Sequence, residues 1–98
     1  MTSARQFPVL VEVGLRPGIA DPQGATIERA LPALGFDGVR TVRAGKAFRL
    51  MVDAADRNEA EALATDIADR LLSNPVIEIY EVTVFEASPS TAASDSTS

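Results

Sequence analysis

The chain has 98 residues, no cysteine, no histidine and a net charge of −5. Disulfides and thiolate metal sites are therefore excluded, and the usual general base near neutral pH and the commonest metal ligand are missing. The acidic balance argues against nucleic acid as a partner. No apolar run reaches the ~20 residues of a membrane span, and the N-terminus has neither the basic nor the apolar segment of a signal peptide, so a soluble cytoplasmic protein is expected.

Residues 1–6 are expected to fray. Phe7 to Leu15 then alternates cleanly. Phe7, Val9, Val11, Val13 and Leu15 fall on one face, and Pro8, Leu10, Glu12 and Gly14 on the other. Period two with β-branched residues predicts a half-buried strand, and Pro17-Gly18 ends it. Asp21-Pro22 predicts a helix start, because Asp caps well and Pro lacks the N–H that would go unpaired at the first helical position. Ile27, Ala30, Leu31 and Leu34 repeat at helical spacing up to the stop at Gly35. Pro32 breaks that pattern. It removes a hydrogen bond and clashes with the carbonyl of Glu28, so the helix should kink or end near Leu31 with a loose last turn.

Gly38 to Ala54 reads as two strands about a turn at Ala44-Gly45-Lys46. In the second strand Phe48, Leu50 and Val52 share a face and Arg49, Met51 and Asp53 take the other. In the first, Val39 and Val42 are out of phase, which suits a charged edge strand. The next helix starts at Asp56, with Glu59 at capping-box spacing. Its predicted apolar stripe is Ala60, Leu63, Ala64, Ile67, Ala68 and Leu71, and Asn74-Pro75 ends it. Val76 to Glu86 is the last strand. Its apolar set changes phase between Ile77/Ile79 and Val82/Val84, which predicts either a bulge near Tyr80-Glu81 or a second half buried against another subunit.

The tail from Ala87 to Ser98 has no large apolar residue and is expected to stay disordered. A single domain over 7–86 remains. A domain of about eighty residues buries only roughly 60–65% of its unfolded surface, so a partner surface would help it. The predicted class is α+β: a two-layer sandwich in βαββαβ order, ferredoxin-like or a close variant, with two helices on one face of a mainly antiparallel sheet. Leu10 and Met51 make the other face more apolar than a solvated face requires, which points to self-association.

Three stretches could carry function. The loop from Leu15 into the helix at Pro22 has the glycines of a phosphate loop. It lacks the Gly-x4-Gly-Lys spacing, and Pro22 and Asp21 remove or occupy the helix-start donors; a turn and a cap explain it better. Arg40, Arg43, Lys46 and Arg49 lie in a stretch without acids and could bind phosphate or an acidic partner surface, although edge-strand charge explains them as well. From Asp53 to Asp69, six acids stand against Arg57 alone. Glu59 and Asp66 share a helix face, yet no second ligand type accompanies them, so a solvated face is the better reading. In a strand, Tyr80 reads as a packed ring with its hydroxyl at the rim. No catalytic constellation emerges.

Three segments, LRPGIADPQGATIERALPALGF, VRAGK and LLSNPVIEIYEV, in this order and at this spacing, resemble the PurS family, the small subunit of phosphoribosylformylglycinamidine synthase. The resemblance covers Val9 to about Glu86. It implies a non-catalytic scaffold in purine biosynthesis that joins a glutaminase subunit to a large ATP-dependent synthetase, so that ammonia from glutamine reaches formylglycinamide ribonucleotide. It also implies a homodimer or dimer of dimers, no cofactor on this chain, and ATP with Mg on the synthetase. The family supplies no catalytic residue to place here. The candidate docking residues are Asp21 and Gln23 at the helix start, with Arg40, Arg43, Lys46 and Arg49. Two other readings fit the same element order: an amino-acid-binding regulatory module of the ACT type, and an acylphosphatase-like enzyme that would use Arg16 after the first strand.

Overall fold

A computed structural model describes residues 5–87. Three strands, β1 (Arg5–Leu15), β2 (Gly45–Ala54) and β3 (Glu78–Val84), form one antiparallel sheet in the order β2-β1-β3. Helix α1 (Pro22–Ala30) follows β1, and α2 (Arg57–Ile67) joins β2 to β3. Both helices, the antiparallel sheet and the α+β class agree with the sequence expectation. Strand β1 starts at Arg5, two residues before Phe7. The expectations for residues 1–4 and for the tail beyond Ala87 lie outside the described residues.

The alternation in β1 sets the layers. Phe7, Val9, Val11 and Val13 are buried, while Glu12 is exposed and Pro8 and Leu10 are half-covered. Register carries that division across the sheet. Val9 faces Leu50 on β2 and Val84 on β3, and Val11 faces Phe48 and Val82. The buried residues of the sheet meet Ala60, Ala64 and Ala68 of the α2 segment, all three inaccessible to solvent. Alanine at these positions lets the helix backbone lie close to the strands. Among the larger side chains of the described residues, only Val11 is fully buried. The core is thin.

Local chemistry explains the ends of the elements. Asp21 caps α1 by accepting the Gly24 N–H at 2.9 Å, with Pro22 at the first position. The helix gives way at Pro32 to a 3-10 turn (Pro32–Leu34), and Gly35 closes it at φ +92°. Asp56 accepts from the Glu59 N–H at 2.8 Å, and Glu59 reaches back to the Ala55 N–H at 2.6 Å. This is the predicted box, with the return bond one residue earlier. Helix α2 leaves through a π-helical turn (Ala68–Leu72) that Ser73 ends, its hydroxyl donating to the Ala68 carbonyl.

Three expectations are corrected. No strand forms between Gly38 and Ala44, so the order is βαβαβ and the predicted hairpin at 44–46 does not exist. Residues 41–44 form instead an irregular strap whose N–H groups are taken by side chains of the α1 segment, and Thr41 has φ +60°, which interrupts any extended run. The out-of-phase Val39 and Val42 were the sign of this. The phase change in the last strand is no bulge. Every residue from Glu78 to Val84 pairs with β1 in one unbroken register, with Ile79 on the open face and Tyr80, Val82 and Val84 toward the helix. Finally, only the alanine half of the α2 stripe is buried. Leu63, Ile67 and Leu71 remain exposed, Leu71 at 78%. A single helix on three strands has no neighbour to cover its second side.

Candidate docking site

The first two of the three segments that carry the family resemblance are joined directly by hydrogen bonds. The α1 segment and the strap are joined by two carboxylates. Asp21 Oδ1 caps Gly24 while its Oδ2 accepts the Ala44 N–H at 2.8 Å. Glu28 accepts the N–H groups of Thr41 and Val42, each at 3.1 Å, one on each carboxylate oxygen. The strap thus finds on one helix the hydrogen-bond partners that a neighbouring strand would otherwise supply. Gly24 makes the approach possible. It is buried, and a Cβ there would overlap the Val42 carbonyl oxygen.

This arrangement sets the electrostatics of Asp21. The N–H groups of Gly24 and then Ala44 hold its carboxyl below the ordinary value of 3.8; partial loss of water opposes them, and the charge of Arg43 adds to them. Hydrogen bonds to the ionised form are the dominant cause. Because the folded value lies below the unfolded one, the stabilisation is complete above the unfolded pKa and is lost as pH falls through the folded pKa. Asp21→Asn must turn an NH2 toward one of the two N–H donors. It is expected to melt below the wild type at pH 7, with the gap closing once pH drops below about 4. Melting curves across that range check this; a gap unchanged at the acid end would rule out the charge as its cause.

The structure divides the basic candidates. Arg43 is exposed on the strap, and Arg40 is exposed just before it. Lys46, the second residue of β2, points to the helix side and pairs with Glu78 at 3.6 Å across β1. Arg49 lies on the opposite, open face of the sheet, level with Leu10. Gln23 is exposed on the first turn of α1. Asp21, Gln23, Arg40 and Arg43 thus belong to the helix–strap unit, and Lys46 and Arg49 do not. Beside the strap, a cleft of about 640 Å³ opens at the sheet end, lined by Gly14, Gly45 and Ala47 with Arg43, Glu12 and Glu81.

Glu28 and Gly24 escaped the sequence reading. Each is unremarkable on a helix until the strap lies beside it. Arg16 is the arginine that an acylphosphatase-like site would use. Its guanidinium donates instead to the Pro75 carbonyl, at 2.7 and 3.2 Å, tying the end of β1 to the turn before β3. Among the described residues, no three His, Cys, Asp or Glu side chains gather as a metal site. The helix–strap unit offers a shaped, charged surface, with its two carboxylates engaged by backbone.

Comparison with known proteins identifies the family. The family model for PurS, phosphoribosylformylglycinamidine (FGAM) synthase, matches residues 8–86. The phosphoribosylformylglycinamidine synthase subunit PurS of Archaeoglobus fulgidus is 40% identical over 72 residues, covering 74% of this chain and 90% of its own. That of Mycobacterium leprae is 46% identical over 74 residues, covering 76% and 90%. Among solved structures, the PurS subunit of Thermotoga maritima superposes with a TM-score of 0.79 at 33% identity, over 86% of this chain and 97% of that one. A chain in the PurLQS structure from the same organism gives 0.75 at 35% identity, over 82% and 98%.

Proposed function

This chain belongs to the PurS family of phosphoribosylformylglycinamidine synthase subunits, and we propose that within that purine-biosynthetic ligase it is the scaffold joining the glutaminase to the ATP-dependent synthetase. The carrying observation is the use made of Asp21 and Glu28. Both bind backbone N–H groups and hold two family-bearing segments as one rigid surface. Exposed on that surface, Arg40 and Arg43 suit an acidic patch on a partner, where charge adds to encounter rate and register. Asp21 acts through the strap, and Gln23 stands beside it. Lys46 contributes through its pair with Glu78, and Arg49 from the other sheet face. ATP and Mg²⁺ belong to the synthetase, and no cofactor is assigned to this chain. Its place is the cytoplasm, with the rest of the enzyme; among the described residues no helix is long and apolar enough to cross a membrane.

We also propose a homodimer or a dimer of dimers. The fold leaves two separate apolar surfaces. One flanks α2, with Leu63, Ile67 and Leu71. The other lies on the open sheet face, where Pro8, Leu10, Met51 and Phe85 line a cleft of about 480 Å³. Two distinct surfaces are what a dimer of dimers requires.

Reconstitution from separate subunits tests the scaffold. Glutamine-dependent synthesis is expected to collapse without this chain, while synthesis from added ammonia persists on the synthetase alone. Full glutamine-dependent turnover in its absence would remove the role. Arg40→Glu with Arg43→Glu should weaken assembly about tenfold or more and lower the melting temperature only slightly, since neither side chain is buried and the charge of Arg43 is the smallest of the influences on Asp21. Unchanged co-sedimentation of that variant would take the strap out of docking.

A further inference from the structure

We propose that the outer edge of β3 takes up an extended, basic segment of a partner protein as an added strand, with its cations against the acidic flank of α2. This rests on the scaffold reading above and supplies the scaffold with a second contact, separate from the strap.

The edge follows from the hydrogen-bond phase of the sheet. At one end of the β1–β3 ladder the Arg16 N–H donates to the Ile77 carbonyl at 2.8 Å, and at the other the Phe85 N–H donates to the Pro8 carbonyl at 2.9 Å. In an antiparallel ladder, bonded pairs alternate with unbonded ones. Ile77, Ile79, Glu81, Thr83 and Phe85 therefore turn their main-chain groups toward β1, and Glu78, Tyr80, Val82 and Val84 turn theirs outward. β3 is the last strand on that side of the sheet.

Only the ends of this edge are closed. The Glu78 N–H goes to the Asn74 carbonyl at 2.8 Å, and Arg57 Nη1 donates to the Val84 carbonyl at 2.7 Å. Between them, the Glu78 carbonyl, both main-chain groups of Tyr80 and of Val82, and the Val84 N–H have no protein partner among the described residues. Proteins commonly blunt such an edge with lysine, proline or a bulge. Glu78 to Val84 has none of the three.

The surroundings select the occupant. Helix α2 runs beside β3 and, with Tyr80, lines a groove of about 690 Å³. Glu61 and Asp69 lie on that flank with Asn58 and Thr65. Both acids are exposed. Neither has an ion-pair partner among the described residues, where the pairs are Lys46–Glu78 and Arg70–Asp66. A strand added outside β3 sends every second side chain to the helix side, level with Tyr80 and Val82. Lys or Arg at those positions would meet Glu61 and Asp69. A second copy of β3 fits badly. Two-fold pairing centred on the strand would set Glu81 opposite its own equivalent and bring the two acidic flanks together. The edge suits a different protein, one with cations at alternate positions of an extended segment. The strap, with Arg43, leads into β2 at the opposite edge of the sheet. One edge is thus basic and the other acidic, so two partners of opposite charge can be held without competing.

Amide exchange reads the added strand directly. In the free chain the N–H groups of Tyr80, Val82 and Val84 should exchange fast, while β1 protects those of Ile79, Glu81 and Thr83. The 98-residue chain is saturated with purified synthetase and, separately, with purified glutaminase. One of the two is expected to slow the first three amides about tenfold or more. Glu61→Lys with Asp69→Lys should weaken the binding of that same subunit about tenfold and leave the melting temperature close to wild type, since both positions are exposed. Binding that slows the three amides with neither subunit overturns the added strand and leaves the scaffold standing. Slowing that persists at unchanged affinity in the charge-reversed chain overturns the basic partner. Slow exchange at these positions in the chain alone means that a second copy fills the edge, and overturns the proposal as well. If neither subunit binds, the scaffold reading falls and the added strand with it.

Discussion

Gly24→Ala is expected to destabilise this protein, although in an ordinary helix interior the same change gains up to about 1 kcal/mol. The reason is the strap. A Cβ on residue 24 would overlap the Val42 carbonyl oxygen and crowd the Asp21 carboxylate, 2.7 Å from its Oδ2. Backbone cannot swing aside as a flexible side chain can. Either α1 shifts or the strap lifts, and lifting it breaks the bonds from Thr41, Val42 and Ala44 to Glu28 and Asp21. Overpacking of this kind costs about 1–3 kcal/mol. At roughly 4–8 °C per kcal/mol for a domain of this length, the melting temperature should fall by some 5–20 °C. Amide exchange at Thr41, Val42 and Ala44 should accelerate together, while the β1 amides stay protected. A variant as stable as wild type, with those three amides unchanged, would mean that the strap is not held as described. Because Arg43 rides on the strap and Arg40 lies just before it, the same variant should also assemble less well.

Ala64→Leu should have the larger effect on the fold as a whole. Ala64 is inaccessible to solvent and lies between Ala60 and Ala68 against the buried face of the sheet. The added isopropyl group has no cavity to enter, so α2 must lift off β1 or tilt. The cost is again about 1–3 kcal/mol, and domains this small and thinly buried tend to the low end of the usual ~5–15 kcal/mol. Denaturant titration is expected to show a large drop in midpoint, with subunit assembly lost in parallel. The contrasting control is Leu63→Ala, on the exposed side of the same helix. In an isolated chain that change should be nearly silent, and in the assembled protein it should matter. If Ala64→Leu left the denaturation midpoint in place, α2 would not be the close-packed lid seen here.

The parts of the fold legible in the sequence are those governed by neighbours along the chain. Alternation from Phe7 to Val13 announced both the strand and its buried face. Asp21-Pro22, Pro32, Gly35 and the Asp56–Glu59 pair marked helix ends, because a cap or a missing N–H acts within one turn. The candidate site was less legible. Arg40, Arg43, Lys46 and Arg49 looked like one basic cluster, but a strand sends alternate side chains to opposite faces, and the strap lies outside the strand altogether. Glu28 gave no signal, because its partners are more than a dozen residues away.

The sequence by itself determined the α+β class, the inward face of β1 and β2, the start of both helices and, through its three family-bearing segments, membership of a synthase subunit family. All of these depend on periodicity and local hydrogen bonding, which a linear reading can see. Only the tertiary structure decided that residues 41–44 bind a helix rather than a sheet edge, that the last strand runs without a bulge, and that Leu63, Ile67 and Leu71 stay uncovered. Those outcomes depend on which of several competing partners reaches a backbone group or an apolar face first in space. Two carboxylates on α1 took the strap's N–H groups, the strap held α1 away from the sheet, and the second side of α2 was left open.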